Sequence, residues 1–505
     1  MHAITSETVV EPHYDVAIIG FGPTGAVLAN LLALCGVRVL VVEREAGIYP
    51  LPRAVHFDDE TMRVFQTVGI ADTLSQKVRV NPGMRFIDAN NHILLDWPRP
   101  RELTPQGWHA SYRFHQPDLE LLLRQAARGR DTITVKTETK MVALSPASDH
   151  VLLHCYDRAR NRWFEVSACY VVGCDGARSP VRRAMGVEME DFGFKQSWLV
   201  VDVLLKRAMP KLGDHSVQFC DAERPMTYCR SPENRRRWEI TMRPGETANY
   251  MTDPDRVWQF LSRWITPKDA ELERTAVYTF ESALAKQWHQ DRLLLAGDAA
   301  HLTPPFMGQG MCAGIRDAAN LAWKLALKLR GQAPVSLLDS YSAERRPNMR
   351  AYIETAIDLG YLINSIDRDN LQQLNGVGTQ KNRKMASISP GLGLAGARCF
   401  GLLPSARCGE LFGQPQLSGH GRADDYVGYR PVLISRVPCA TTLHQGQPVQ
   451  LNAQSEPSLK TALDELDVAG VLIRPDRYIL ATAASQKELA PLAQIDFGTP
   501  QGQPL

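Results

Sequence analysis

No apolar run in this chain reaches the roughly 18 residues that a membrane-spanning helix requires. No two cysteines stand in a CxxC spacing, and neither sign of charge predominates. Each absence removes a class of function. A formal net charge of +2 over 505 residues gives no electrostatic case for nucleic acid or an acidic membrane surface as partner. The opening residues, MHAITSETVVEPHYD, have neither the basic start nor the apolar stretch of a secretion signal, so a cytoplasmic location is expected. Ten scattered cysteines without CxxC spacing argue against zinc, dithiol chemistry and a disulfide framework. Cys35, Cys169 and Cys174 have apolar neighbours and read as small buried thiols. No metal site is expected. What is present is a globular composition, 44% hydrophobic and 22% charged, on a chain long enough for two or three domains.

Residues 14–19 (YDVAII) read as a buried strand. A Gly-rich turn follows, then an apolar helix over Ala26–Leu34 closed by Gly36, then a second apolar strand over Val37–Val42. That order is a βαβ unit with a parallel, right-handed crossover. Residues 85–97 and 134–172 are strand-rich. The alternating segments WLVVDVLL, HSVQFC, RRWEITMRP and RTAVYTF predict a mostly antiparallel sheet inserted between nucleotide-binding halves. RLLLAGDAA returns to a buried strand, and Asp317–Leu329 is an amphipathic helix closed by Gly331. Residues 386–406 read as a Gly/Ser linker, and RPVLISRV and GVLIRPDRYILATA as strands of a small appended domain. The expected division is a discontinuous nucleotide-binding domain over 12–185 and 285–385, a substrate sheet over 186–284 and a small domain over 400–505.

Gly20-Phe21-Gly22-Pro23-Thr24-Gly25 matches GxGxxG in an informative context. It follows a strand and opens a helix, and Glu43 ends the next strand about 20 residues on. Gly20 permits the tight turn, Gly22 lets the backbone approach a pyrophosphate, and Gly25 lets helix and sheet pack closely. The helix N-terminus then offers its positive dipole end to phosphate. Glu43 is a candidate acceptor for an adenosine ribose. A glycine turn without a ligand is the bland alternative, and the fingerprint alone does not separate FAD from NAD.

Two further motifs decide. Cys174-Asp175-Gly176-Ala177-Arg178-Ser179-Pro180-Val181-Arg182 follows the strand YVVG. Gly297-Asp298-Ala299-Ala300-His301 follows LLLA and runs on into Pro304-Pro305 and Gly308-Gln309-Gly310. GxGxxG, then DG, then GD, spread over residues 12–360, resemble the single-component flavoprotein aromatic hydroxylases. The resemblance implies an α/β fold: a Rossmann-like FAD-binding domain with the inserted antiparallel sheet as substrate domain. It also implies FAD as cofactor, NADPH or NADH as co-substrate, and O2 and a small phenolic ring as the other reactants. The implied chemistry is hydride transfer to FAD, then a C4a-hydroperoxyflavin that oxygenates the ring. By the same resemblance Asp298 bonds the ribityl chain, with a turn-capping aspartate as the alternative. Asp175, Gly176 and Arg178 link the FAD pyrophosphate region to NAD(P)H binding, with a structural ion pair as the alternative. Arg44 and Arg53 become candidate phosphate contacts. Arg113 and Gln116 either touch FAD or help cap a helix over Asp118–Gln125. Pro304 and Pro305 stiffen the wall beside the ring. The N–H groups of Gly308, Gln309 and Gly310, opening a helix near Met311, face the flavin edge where reduction places negative charge.

Pro52-Arg53-Ala54, Asp58-Asp59-Glu60, WLVVD at 198–202 and RDAANLAWKL at 316–325 are similar to the 3-(3-hydroxyphenyl)propionate hydroxylase branch. That implies a meta-hydroxylated phenyl acid as substrate. ELFGQP at 410–415 and RPDRY at 474–478 are similar to that branch's thioredoxin-like C-terminal domain. Lacking CxxC, this domain is expected to serve packing or oligomer contacts, a homodimer included. The substrate base stays open among His115, His215 and His301, each with an ordinary structural role as its alternative. Arg224, Arg230 or Arg243 could hold a substrate carboxylate bidentately. Tyr228 could bond a phenol, and Trp198 and Phe219 could wall the pocket; solvated arginines and core aromatics are the alternatives.

Two rival readings remain. A tailoring hydroxylase of polyketide or heteroaromatic rings differs only in the inserted sheet, whereas a halogenase would want a WxWxIP segment, which is missing. A non-catalytic FAD-binding scaffold would have no need of intact DG and GD motifs.

Overall fold

The computed structural model describes residues 9–10, 12–221, 223–365, 388–402, 405–438 and 446–497. The end of the predicted FAD-binding domain at 385, the linker positions 386, 387, 403 and 404, Cys439 and the last eight residues lie outside the described residues.

The strand Tyr14–Ile19, the helix Pro23–Leu34 and the strand Val39–Val42 form the βαβ unit, with Val16 opposite Val39 and Ile19 opposite Val42 in parallel. All four residues of Val39–Val42 are buried, as a parallel strand covered on both faces requires. Arg162–Gly173 pairs in parallel with Tyr14–Ile19 on one side and Leu293–Leu295 on the other. The three strands that carry the glycine, DG and GD loops are therefore adjacent, and all three loops leave the same edge of the sheet. Ligands of open α/β sheets bind beyond the carboxyl ends of the strands, at such an edge.

Helices start earlier than the sequence pattern suggests. The first begins at Pro23, which needs no N–H partner in a first turn. The helix predicted over Asp317–Leu329 begins at Gly310, because its opening turns are buried nearly all round and show no polar face. The helix predicted over Asp118–Gln125 runs Gln116–Arg128.

The second sheet has eight strands in the order His301–Leu302, Ala270–Ala285, Met189–Leu205, Arg235–Thr241, Met226–Arg230, Ser216–Phe219, Gly83–Ile87 and Ile93–Pro98. Only the pairing of Ser216–Phe219 with Gly83–Ile87 is parallel. The expectation of a sheet confined to 186–284 is corrected. A hairpin from the nucleotide-binding half extends one edge and the segment after the GD loop pairs with the other, so the inserted strands themselves are not the terminal ones. The outer face packs Leu199, Val201, Tyr228, Trp238 and Ile240 against Met251, Val257 and Leu261.

The C-terminal sheet runs Val449–Asn452, Val432–Ser435, Gly470–Ile473, Ile479–Ala483, with the first two strands parallel and the rest antiparallel. The helices Pro457–Leu466 and Gln486–Ala493 accompany it. The described part of the predicted linker is packed chain: it holds the helix Ala395–Cys399, and a Cβ on Gly396 would collide with Glu344. Its glycines permit close approach, which composition alone does not distinguish from flexibility. Among the described residues no helix is long and apolar enough to cross a membrane.

Candidate functional site

Gly20 has φ +103 and lies so close to the Cys174 carbonyl that a Cβ would strike it. Gly25 lies equally close to the Gly20 carbonyl. Gly22 differs: a Cβ there would meet nothing within 4 Å. It is the N-cap of Pro23–Leu34 and supplies no side-chain cap, so the free N–H groups of that helix end face open space. Such a helix end has the chemistry to receive an anion. Glu43 is buried and braces the loop, accepting from Phe21 N at 2.7 Å and from Glu45 N at 2.8 Å. A carboxylate has about four acceptor sites, so a ribose hydroxyl is still accommodated.

Thr24 draws the glycine and GD loops together. A Cβ on Gly297, which has φ +63, would sit 2.7 Å from Thr24 Oγ1, and one on Gly314 would collide with the same atom. The bonds that hold the GD loop run to Asp317, which accepts from Gly297 N at 3.0 Å, His301 at 2.6 Å and Arg345 Nε at 2.8 Å. Asp298 is exposed and takes no part in them. In the DG loop, Asp175 Oδ2 accepts from Val181 N at 3.1 Å while Oδ1 is buried without a partner. Burial pushes this carboxyl up from its ordinary value. Arg178 is exposed, and no ion pair joins it to Asp175. The residue that links the DG and GD loops is Arg182, which donates to Ala299 O at 2.6 Å and Ala177 O at 2.7 Å. It stands inside the DG motif, but its role rests on a contact 117 residues away that no local pattern signals.

Gly308 adopts the left-handed conformation and packs on His56, whose Nδ1 would be 2.9 Å from an added Cβ. Gln309 precedes the helix Gly310–Leu329, which has no side-chain cap, so the first N–H groups around Gly310 and Met311 are free for a ligand. The Gln309 side chain is tied down elsewhere. Its Oε1 accepts from Arg316 Nη1 at 2.9 Å and its Nε2 donates to Asp58 at 3.3 Å. Arg316 also grips Glu60 and Asp58, each at 2.5 Å. Against the effect of burial, the Arg316 guanidinium holds Asp58 well below the usual carboxylate range. His56 was not among the candidate histidines, having no sequence signal of its own. Its Nε2 lies 2.8 Å from Ser111 Oγ and its Nδ1 3.4 Å from Gly308 O. Burial, then Arg113, pushes His56 down to about 3, so it is neutral. Pro304 opens the short turn Pro305–Met307, whose Phe306 meets Trp198 edge-on with ring centres 5.8 Å apart.

These loops fit FAD on their own geometry: a phosphate cradle at Gly22, a free carboxylate at Asp298, and an uncapped helix end at Gln309. Residues 13–356 match the family model described as FAD binding domain. This chain belongs to that family, the FAD-binding flavoprotein aromatic hydroxylases. A relative in Rhodococcus jostii (strain RHA1), named "Probable NADH-specific resorcinol 4-hydroxylase", is 36% identical over 95% of this chain and 94% of its own length. The 3-(3-hydroxy-phenyl)propionate/3-hydroxycinnamic acid hydroxylase of Burkholderia cenocepacia (strain HI2424) is 37% identical, but over 69% of this chain and 64% of that relative. The chain therefore spans less than two thirds of that second protein. OxyS anhydrotetracycline hydroxylase from Streptomyces rimosus has the same fold, with a TM-score of 0.76, 23% identity and coverage of 97% of this chain and 100% of its own.

Other candidate residues of this flavoprotein take different places. Arg44 is exposed and pairs with Glu45 at 3.1 Å, and Arg53 lies over the Tyr49 ring. Gln116 holds the 53–54 loop, accepting from Arg53 N at 3.1 Å and Ala54 N at 2.8 Å, and so does not cap its helix. Arg113 reaches Ser216 Oγ at 2.5 Å and keeps a buried Nε without a partner. His115 makes no capping bond and lies 3.1 Å from Asp118. His215 lies among Arg85, Asp96 and Asp214. His301 is corrected from base to structural hydrogen-bond partner, since its fully buried imidazole is bonded to Asp317.

Arg224 is corrected as a substrate contact: its guanidinium is committed to Glu246 and Thr241 O. Arg230 is tied to Asp214 and Arg243 to Glu223. Tyr228 and Phe219 are corrected too. They lie on the outer face against Trp238 and Trp264, with ring centres 5.0 and 4.8 Å apart. Alternation along the strands puts Arg237 and Glu239 on the opposite face, where Arg237 donates to the carbonyls of Pro52 and Arg53 in the FAD-binding domain. Among the described residues no group of three or more His, Cys, Asp or Glu could hold a metal ion.

Proposed function

We propose that this protein hydroxylates a small phenolic ring in the cytoplasm, using FAD, NADH or NADPH, and O2. The observation that carries the reading is the convergence of the uncapped helix ends at Gly22 and Gln309 with the free Asp298 at one sheet edge. Bound FAD would supply hydride acceptance and oxygen activation, and the chain supplies position and electrostatics. The Gly22 helix end would hold the pyrophosphate, Glu43 the ribose and Asp298 the ribityl hydroxyls, with Arg44, Arg53 and Arg113 as cationic neighbours. The N–H groups of Gly308 to Gly310 would stabilise negative charge on the reduced ring. The DG loop, with Arg178 exposed and Asp175 and Gly176 half-buried behind it, is the proposed approach for the nicotinamide co-substrate. Pro304, Phe306 and Trp198 would keep water from the reacting centre.

Likeness along nearly the whole chain to a relative named for NADH and resorcinol supports NADH and a neutral diphenol. The phenylpropionate hydroxylase match covers a smaller share of the chain, 69%. We read the C-terminal sheet as a thioredoxin-like module used for docking, and sedimentation tests whether a homodimer also forms. The deciding experiment measures NADH-driven flavin reduction across a panel of phenols, with oxygenated product and hydrogen peroxide both quantified. Stimulation with stoichiometric product is expected. A protein that refuses FAD, or one that sends all oxygen to peroxide with every phenol, ends the proposal.

A further inference from the structure

Glu239 stands on the face of the inserted sheet that looks toward the FAD-binding domain. Arg237, Glu239 and Thr241 alternate along the strand with Trp238 and Ile240, which belong to the outer core. Val200 and Thr227 lie opposite Glu239 on the neighbouring strands. On one side along this face come Asp202 and Arg237, the latter bonded to Pro52 and Arg53. On the other come Trp198 and Thr241, with Trp198 against Phe306 of the flavin turn. Glu239 thus lies between the Pro52–Arg53 segment and the turn that holds Phe306.

The Glu239 side chain is 14% exposed, its nearest cation is Arg237 Nη1 at 3.7 Å, and no described residue donates a hydrogen bond to it. Burial pushes its carboxyl up from the ordinary value, with Arg237, Asp202, Arg113 and Arg274 as the surrounding charges. A half-buried carboxylate with no donor from the chain keeps its acceptor sites open, and a ligand hydroxyl is a partner that suits its chemistry. The two arginines of this face that flank Asp202 are committed to it, while Arg113 keeps an unpartnered Nε. Arg237 Nε is 2.7 Å and Arg274 Nη2 is 2.6 Å from Asp202, and the Nη atoms of Arg237 bond main-chain carbonyls. Neither offers the free fork that grips a carboxylate. A substrate carboxylate beside Glu239 would add a like charge next to Glu239 and Asp202, with one unpartnered N–H of Arg113 to set against it.

We infer that Glu239 determines specificity by accepting a hydrogen bond from the second hydroxyl of a neutral dihydroxybenzene, while its charge rejects phenyl carboxylates. This rests on the phenol-hydroxylase reading above and narrows its substrate class.

The test uses the FAD-loaded full chain and its Glu239→Ala and Glu239→Gln variants, titrated with resorcinol, phenol and 3-(3-hydroxyphenyl)propionate. Two signals are read: the absorbance change of the flavin on binding, and the rate of its reduction by NADH. Wild type is expected to prefer resorcinol. Glu239→Ala should weaken resorcinol about 10- to 100-fold, the range of one hydrogen bond to a charged group, with a much smaller effect on phenol. Glu239→Gln, which keeps shape and an acceptor, should lose less on resorcinol and relax the exclusion of the phenyl acid. FAD affinity, followed by fluorescence, should stay at the wild-type value in both variants. A wild type that prefers the phenyl acid, or a Glu239→Ala variant that weakens phenol and resorcinol alike, overturns the assignment while leaving the hydroxylase reading intact. If none of the three ligands perturbs the wild-type flavin, the hydroxylase reading falls and takes the assignment with it.

Discussion

Tyr478 Oη donates to Glu60 Oε1 at 2.7 Å, a hydrogen bond between residues 418 apart that joins the C-terminal sheet to the helix Asp59–Val68. The other oxygen of Glu60 takes Arg316, and Arg316 holds Gln309. Beside this chain of contacts Glu344 accepts from Lys324 and Arg474, each at 2.8 Å, and Asp424 from Arg63 at 2.6 Å. The RPDRY segment is a plug of charge seated in the FAD-binding domain.

Breaking that plug should cost stability and coupling together. Tyr478→Phe should lose about 1–3 kcal/mol in urea denaturation, because Glu60 loses a buried donor. Arg316→Met, which strands Asp58 and Glu60, should lose about 3–5 kcal/mol. If the network positions Gln309, both variants will also divert a larger share of consumed NADH into hydrogen peroxide. Lower stability with an unchanged peroxide share would make the network a weld and nothing more.

Two glycine substitutions separate ligand space from fold space. At Gly22 φ is −73 and a Cβ would meet nothing, so Gly22→Ala should leave the melting of the apoprotein nearly unchanged and weaken FAD binding about 10-fold or more. Gly297→Ala meets positive φ and Thr24, and should destabilise the apoprotein itself by about 1–3 kcal/mol. Equal FAD affinity of Gly22→Ala and wild type would refute the phosphate cradle.

His56 should make the fold acid-sensitive. Its folded value is about 3 against an ordinary 6.5, so the unfolded chain takes up the proton first as pH falls. Stability from this group is complete above pH 6.5 and is lost on the way down to 3, amounting to about 2 kcal/mol by pH 5. Urea midpoints at pH 7.5 and 5 should converge in His56→Gln relative to wild type. The same slope in both proteins would mean that the imidazole is not buried neutral.

At the plug, Lys324 and Glu344 should behave oppositely. Against burial, Arg474 and Lys324 hold Glu344 down to about 2, so its contribution is present above 4.5 and lost as pH falls toward 2. Burial pushes Lys324 down to about 8, so the lysine costs stability below that pH, and the cost fades as pH rises toward 10.5. At pH 7, Lys324→Met should be neutral or stabilising, since Arg474 still pairs with Glu344, whereas Glu344→Gln should lose about 3–5 kcal/mol. Comparable losses in both would show that the lysine carries the pair.

Short-range chain chemistry was enough to read the three loops, and the resemblance their order carries supplied the cofactor. Strand, glycine turn and helix at Tyr14–Leu34 are properties of neighbouring residues, and so are the left-handed Gly297 and Gly308. The alternating segments of the inserted sheet were legible for the same reason. Its borders were not, because the hairpin that completes it lies about a hundred residues earlier in the chain.

Only the tertiary structure decided what the charged side chains do. Arg224 and His301 have the chemistry of substrate ligands until Glu246 and Asp317 are found against them. Tyr228 looks like a phenol contact until strand pairing turns it outward and Glu239 inward. A glycine's conformation is written in its own backbone, whereas the role of a buried charge is set by its counter-charge, and that partner comes from a distant part of the chain.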